Sequence, residues 1–230
     1  MIRGVLFDFY DTLARIEGRI ALSRQRIAEA CGIEYDRFQG QWRETLADRT
    51  VGRLGTLEDE LDGMLRALGT SCDADVLREL AEGERAAWVD GVRLYADTIP
   101  TLEVLRARGF ATGLVSNCTS QTIGVLAHHQ LDRYLDTLVL SCEVGLAKPD
   151  PGIFLAAAER LKLDARDCAF VADGAGGELD TARDLGMYAV LVENDDQHRA
   201  SVRSNGHDAR IERLTDLLDL DVLLPPTSQA

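Results

Sequence analysis

Lysine is almost absent from this 230-residue chain: Lys148 and Lys162 stand alone among 25 basic residues, all the others being arginine. A lysine inside a motif is therefore more informative here than usual. No run of Lys or Arg occurs, and 39 Asp+Glu against 25 Lys+Arg leaves a formal charge of −14. So acidic a surface repels nucleic acid and anionic membranes, and a small anionic substrate needs local cations to offset the field. The five cysteines are odd in number and form no Cys-x-x-Cys pair, which argues against a zinc site or a disulfide framework and for reduced thiols in a cytoplasm. No apolar stretch approaches the roughly 20 residues that span a bilayer. The N-terminus carries a single Arg3 and an apolar run that Asp8 breaks, unlike a signal or transit peptide. There is no internal repeat or low-complexity segment, and nothing sets the oligomeric state. What remains is a globular composition, 46% hydrophobic and 28% charged, long enough for one domain with an insert.

The pattern along the chain changes twice. Ile2 to Phe7 is a short apolar run that predicts a buried strand. From Ile16 to Val92 the spacing predicts helices only: Ile20 to Cys31 ending at Gly32; Phe38, Trp42 and Leu46 every four residues; Leu57 to Leu68 capped by Thr56; and Val76 to Trp88 capped by Asp73. After about Leu94, helices and strands alternate. Strands are predicted at Phe110–Val115, Thr137–Leu140, Ala169–Ala172 and Tyr188–Val192. Helices are predicted from Pro100 to Gly109, Ser120 to His129, Pro151 to Leu163 and Leu179 to Leu185, with a last helix within Arg210 to Leu224 and a frayed tail from Pro225. This alternation predicts an α/β fold, a doubly wound, Rossmann-like parallel sheet covered by helices on both faces. Residues 1–14 and 94–224 form its core, 15–93 an inserted helical cap domain, and 225–230 the tail.

Polar residues fall at four strand ends. Asp8 ends the first strand, Ser116-Asn117 the second, Lys148 follows the third, and Asp173 ends the fourth. The C-terminal ends of parallel strands converge on one crevice, so two carboxylates, a hydroxyl and a lysine meet there. That set suits phosphoryl transfer through a covalent aspartyl intermediate. Asp8 attacks phosphorus, while Ser116 and Lys148 donate to the phosphoryl oxygens. Thr12 and Asn117 are candidate substrate contacts beside them. Asp8 and Asp173 can hold Mg²⁺, a hard cation that takes oxygen ligands and keeps several waters, and Glu178 can orient those waters.

The stretches Asp8-Phe9-Tyr10-Asp11-Thr12, Val115-Ser116-Asn117, Lys148-Pro149-Asp150-Pro151 and Asp173-Gly174 through Glu178 resemble, in order, the four motifs of the haloacid dehalogenase-like (HAD) superfamily of hydrolases. The resemblance implies a Rossmann-like core with a helical cap between the first two motifs. It also implies Asp8 as nucleophile and the backbone carbonyl of Tyr10 as a further metal ligand.

One departure divides the functional expectation. The family's phosphatases place a general acid, an aspartate, where this chain has Tyr10. A tyrosine there is similar to the 2-haloacid dehalogenases, in which halide leaves unprotonated. Trp42-Arg43 resembles the place where those enzymes clamp the substrate carboxylate with an arginine. Asp173 is similar to the phosphatases instead, and Phe154 stands where dehalogenases tend to carry a tyrosine. The expectation is a Mg²⁺-dependent phosphatase acting on a small phosphorylated metabolite. A 2-haloacid dehalogenase and a weakly active member that only binds ligand are the alternatives.

Overall fold

The structure is a computed structural model, and it describes residues 1–17, 20–194 and 206–224. Eight strands and ten α-helices are assigned among them. Strands β1 (Gly4–Phe7), β4 (Ala111–Ser116), β5 (Thr137–Leu140), β6 (Cys168–Ala172), β7 (Tyr188–Val192) and β8 (Ala209–Ile211) form one sheet in the order β5-β4-β1-β6-β7-β8, every pair parallel. Strands β2 (Ala14–Ile16) and β3 (Val92–Leu94) pair antiparallel. No helix among the described residues is long and apolar enough to cross a membrane.

Period-two alternation sends the side chains of each central strand to opposite faces. Val5 and Phe7 of β1 pack on one face with α6 (Thr98–Ala107) and α7 (Gln121–His128). Leu6 packs on the other with α9 (Pro151–Arg160) and α10 (Glu178–Asp184). Both faces are covered, which is why the strands read as continuous apolar runs rather than alternating ones. Pro151 opens α9, its absent N–H being one that a helix start leaves unbonded anyway, and Asp150 caps it by accepting from the Gly152 N–H.

Between β2 and β3 lie α1 (Ile20–Ala30), α2 (Tyr35–Glu44), α3 (Leu46–Thr50), α4 (Leu57–Ala67) and α5 (Ala74–Gly91). Ile27, Phe38, Trp42, Leu61 and Leu65 anchor a separate apolar cluster there. Thr56 opens α4 with a complete capping box, its hydroxyl taking the Asp59 N–H while Asp59 takes the Thr56 N–H. Asp73 stands at the start of α5 without a side-chain cap bond.

The helix-only expectation fails at both ends of this block, where β2 and β3 form a two-stranded stalk. Leu46 does begin a helix, the separate α3, but it leaves the apolar face set by Phe38 and Trp42 and is half exposed. Helix α2 stops at Glu44 with Thr45 as its C-cap, and the Arg49 guanidinium of α3 donates to the Trp42 carbonyl at 2.7 Å. The last helix expected within Arg210–Leu224 is instead the sixth sheet strand, β8, followed by 3-10 turns at Leu214–Asp219 and Asp221–Leu223. The buried Leu214 and Leu217 recur at a spacing of three, which suits the three-residue turn of a 3-10 helix. The tail from Pro225 lies outside the described residues. The cysteines are less scattered than the sequence suggests: the Cys31 and Cys72 sulfurs are 3.4 Å apart and those of Cys118 and Cys142 3.8 Å, all as free thiols.

The cap meets the core at Gly52, which has φ +67° and packs against the Cys142 carbonyl. A Cβ there would lie 2.0 Å from that oxygen. Gly52→Ala is expected to cost about 1–3 kcal/mol through clash and left-handed strain, read as a lower urea midpoint with an unchanged slope.

Candidate active site

Each polar residue reaches the crevice because its strand stops there. The Asp8 N–H still bonds the Val171 carbonyl of β6 at 3.0 Å, so the sheet delivers its carboxylate to the C-terminal edge. The chain then curls: the Leu13 and Ala14 N–H groups return to the Phe9 carbonyl at 2.8 and 3.0 Å. This turn brings Thr12 back over Asp8. The buried Thr12 hydroxyl donates to Asp8 Oδ2 at 3.3 Å and accepts the Asp173 N–H at 3.1 Å, tying the ends of β1 and β6 together. Asn194 secures the loop from the far side by donating to the Thr12 carbonyl at 2.8 Å.

Lys148 is buried against two carboxylates, pairing with Asp8 Oδ1 and, at 2.6 Å, with Glu178 Oε2. Burial alone would lower the Lys148 pKa, but the charges of Asp8 and Glu178 hold it up at about 12. Burial pushes the Glu178 carboxyl up to about 8, with Lys148 pulling the other way. The Lys148 main chain is clamped by Asn117, whose Nδ2 donates to the Lys148 carbonyl at 2.8 Å and whose Oδ1 accepts the Lys148 N–H at 2.7 Å. Asn117 thus spends its amide on positioning the lysine.

Two atoms are unmatched. The Ser116 hydroxyl, at the end of β4, and Glu178 Oε1 are buried with no hydrogen-bond partner. Buried polar groups rarely stay unpaired, so both are suited to an incoming ligand. Oxygens of Asp8, Asp173 and Glu178 lie within 4.8 Å of one another. Lys148 offsets only part of the negative charge that three neighbouring carboxyl groups can carry, and a divalent cation with oxygen preference offsets the rest. The donor set therefore fits Mg²⁺.

The other expected residues lie elsewhere. The Tyr10 side chain turns from the cluster to α7, where its hydroxyl shares a 2.9 Å hydrogen bond with Thr122. Its ring is edge-on to Phe9 and to Trp88 of α5. Burial raises its phenol further above the ordinary value, so it stays protonated. Arg43 is exposed on α2 and its Nε donates to the Gln39 carbonyl of the same helix at 3.2 Å. The buried arginine of the cap is Arg49, stacked over Trp42 at 4.2 Å. Sequence reasoning passed over Arg49, Glu60 and Gln121, all buried near the cap–core seam. Glu60 had a signal: a carboxylate on the apolar face of α4, between Leu57 and Leu61.

A doubly wound parallel sheet with an acidic, lysine-bearing crevice at the carboxyl ends of its central strands defines a Rossmann-like α/β protein that carries its polar site at that edge. The chain belongs to the haloacid dehalogenase-like hydrolases, whose family model matches residues 2–186. It is 26% identical over 230 residues to a glyceraldehyde 3-phosphate phosphatase of Methanopyrus kandleri, covering 96% of this chain and 97% of that one. It is also 26% identical over 181 residues to an (S)-2-haloacid dehalogenase of a Pseudomonas species, covering 76% and 77%. Among solved structures, a HAD phosphatase from Thermococcus onnurineus superimposes with a TM-score of 0.65 at 24% identity, over 95% of this chain and 97% of that one.

Proposed function

We propose that this hydrolase is a Mg²⁺-dependent phosphatase acting on a small phosphorylated metabolite, with Asp8 as nucleophile. The observation that carries this reading is the buried grouping of Asp8, Asp173 and Glu178 within 4.8 Å, an arrangement that suits a metal and a phosphate. Likeness to glyceraldehyde 3-phosphate phosphatases supports it.

Asp8, Asp173 and the Tyr10 carbonyl would hold the ion, with Glu178 behind its waters. When bound, Mg²⁺ would neutralise the phosphate so that an anionic nucleophile can approach. An Asp8 oxygen forms the bond to phosphorus while the bond to the leaving oxygen breaks, and that oxygen keeps the electron pair. Lys148 and the unpartnered Ser116 hydroxyl donate to the remaining phosphoryl oxygens. Water then cleaves the acyl phosphate, releasing phosphate and restoring Asp8. Thr12 holds the Asp8 carboxylate in place, and Asn117 holds Lys148.

No carboxylate stands at Tyr10 to protonate the leaving oxygen, and its phenol is occupied by Thr122. Acyl and aryl phosphates, whose leaving groups depart unaided, are accordingly the better substrates. Tyr10→Asp is expected to raise turnover of an alkyl phosphate by about 10²-fold, the usual worth of a positioned acid. No gain would mean that the missing acid does not limit the reaction.

The second reading is a 2-haloacid dehalogenase, favoured by tyrosine at position 10. The two separate in one assay pair. The phosphatase releases phosphate from an aryl phosphate and stops in EDTA, whereas a dehalogenase releases chloride from 2-chloropropionate with EDTA present. Neither product, with ligands still raising the melting temperature, would indicate a protein that only binds.

A further inference from the structure

We propose that Glu60 of α4 and Gln121 of α7 form a subsite that reads a hydroxyl group on the leaving portion of the substrate, making the ligand a hydroxylated organic phosphate. This inference rests on the phosphatase reading for its phosphate.

Both side chains are only 2% exposed. Glu60 Oε1 accepts from the Ser120 hydroxyl at 3.4 Å, and Glu60 Oε2 has no partner. Gln121 Oε1 accepts from Thr119 at 2.5 Å and lies 3.5 Å from the Ser120 hydroxyl oxygen, while its Nε2 donor has no partner. Ser120 therefore joins a buried free acceptor to a buried free donor. Leaving either unmade is costly. A hydroxyl is the small group that satisfies both at once, donating to Glu60 and accepting from Gln121.

Glu60 feels the charge of Arg49 but makes no direct ion pair with it. The nearest buried cation, Arg49, donates to the Trp42 carbonyl and the Thr45 hydroxyl. Among the described residues no carboxylate lies within 4.0 Å of its guanidinium. Nor does the seam lie remote from the chemistry. Thr122, next to Gln121, holds the hydroxyl of Tyr10, two residues beyond Asp8. Trp88 packs on the Tyr10 ring at 6.0 Å and donates to Glu84 at 3.0 Å. Helices α4, α5 and α7 thus meet around the Tyr10 side chain, two residues along the chain from Asp8. A 2-haloacid such as 2-chloropropionate offers this pair no hydroxyl.

Competitive inhibition of aryl-phosphate hydrolysis tests this independently of how fast each inhibitor is turned over. Glycerol 3-phosphate is expected to bind at least about tenfold more tightly than propyl phosphate to the wild type. In Glu60→Leu that ratio is expected to fall towards one. Its melting temperature is expected to hold or rise, because an unmatched buried carboxylate has been removed. A structural role for Glu60 would do the opposite, lowering the melting temperature and sparing the ratio. Equal binding of the two phosphates by the wild type, or a ratio that survives in Glu60→Leu, overturns the inference. If Glu60→Leu does not fold, Gln121→Leu is read by the same ratio. Should the wild type release no phosphate, the phosphatase reading fails by itself. The two dissociation constants measured by calorimetry then decide the subsite alone.

Discussion

Asp8→Asn is expected to reduce phosphate release at least about 10⁴-fold, because an amide cannot form the acyl phosphate on which the mechanism turns. The substitution is nearly isosteric, and Thr12 can still donate to the amide oxygen. It also removes one of three neighbouring carboxylates and leaves Lys148 paired with Glu178. The metal-free melting temperature should therefore hold or rise even as activity disappears. That pairing of lost rate with kept stability is the mark of a group retained for chemistry rather than folding. A variant keeping more than a tenth of the rate would remove Asp8 from the reaction.

Lys148→Met has the second largest effect and acts on both quantities. Among the described residues, the Lys148 ammonium is the cation that pairs with both Asp8 and Glu178. Removing the cation of a buried ionic cluster strands its carboxylates without a counter-charge and costs about 3–5 kcal/mol. The folded pKa of Lys148, about 12, lies above its ordinary value of 10.5. Its stabilisation is thus fully present below pH 10.5 and fades only as pH climbs through about 12. The loss in Lys148→Met should accordingly be complete across neutral pH, as a drop in the urea midpoint. Phosphate release should fall about 10²–10³-fold, the usual effect of deleting one donor to a reacting phosphoryl or oxyanion group. Lys148→Arg should recover stability better than rate, because a planar guanidinium cannot place a compact charge between two carboxylates.

The sequence was most legible where one residue type had one physical use. The near absence of lysine made Lys148 conspicuous. The abrupt end of each apolar run marked where Asp8, Ser116 and Asp173 would emerge, and the parallel sheet brings these strand ends to one edge. Three features were hidden. Strand β8 is three residues long and edge-placed, and its leucine-rich sequel resembled a helix until the spacing of three between Leu214 and Leu217 resolved it as 3-10 turns. Strands β2 and β3 are equally short, and helical periodicity on either side masked them. At the cap–core seam, Glu60, Gln121 and Arg49 lie far apart in sequence. Only the folded chain shows that Ser120 lies against both Glu60 and Gln121, and only Glu60 betrayed itself by sitting on an apolar helix face. Tyr10 was recognised as a missing acid, but its hydrogen bond to Thr122, which takes its hydroxyl out of the crevice, depends on a packing partner 112 residues away.

The central claim is that Asp8 carries the phosphoryl group. It is tested most directly by mixing the protein with Mg²⁺ and an acyl or aryl phosphate, quenching in acid, and weighing the peptide that contains Asp8. The account predicts a phosphoryl adduct on that peptide, absent when EDTA precedes the substrate and absent from Asp8→Asn. An unmodified peptide, or instead an ester adduct formed from 2-chloropropionate in the presence of EDTA, would contradict it.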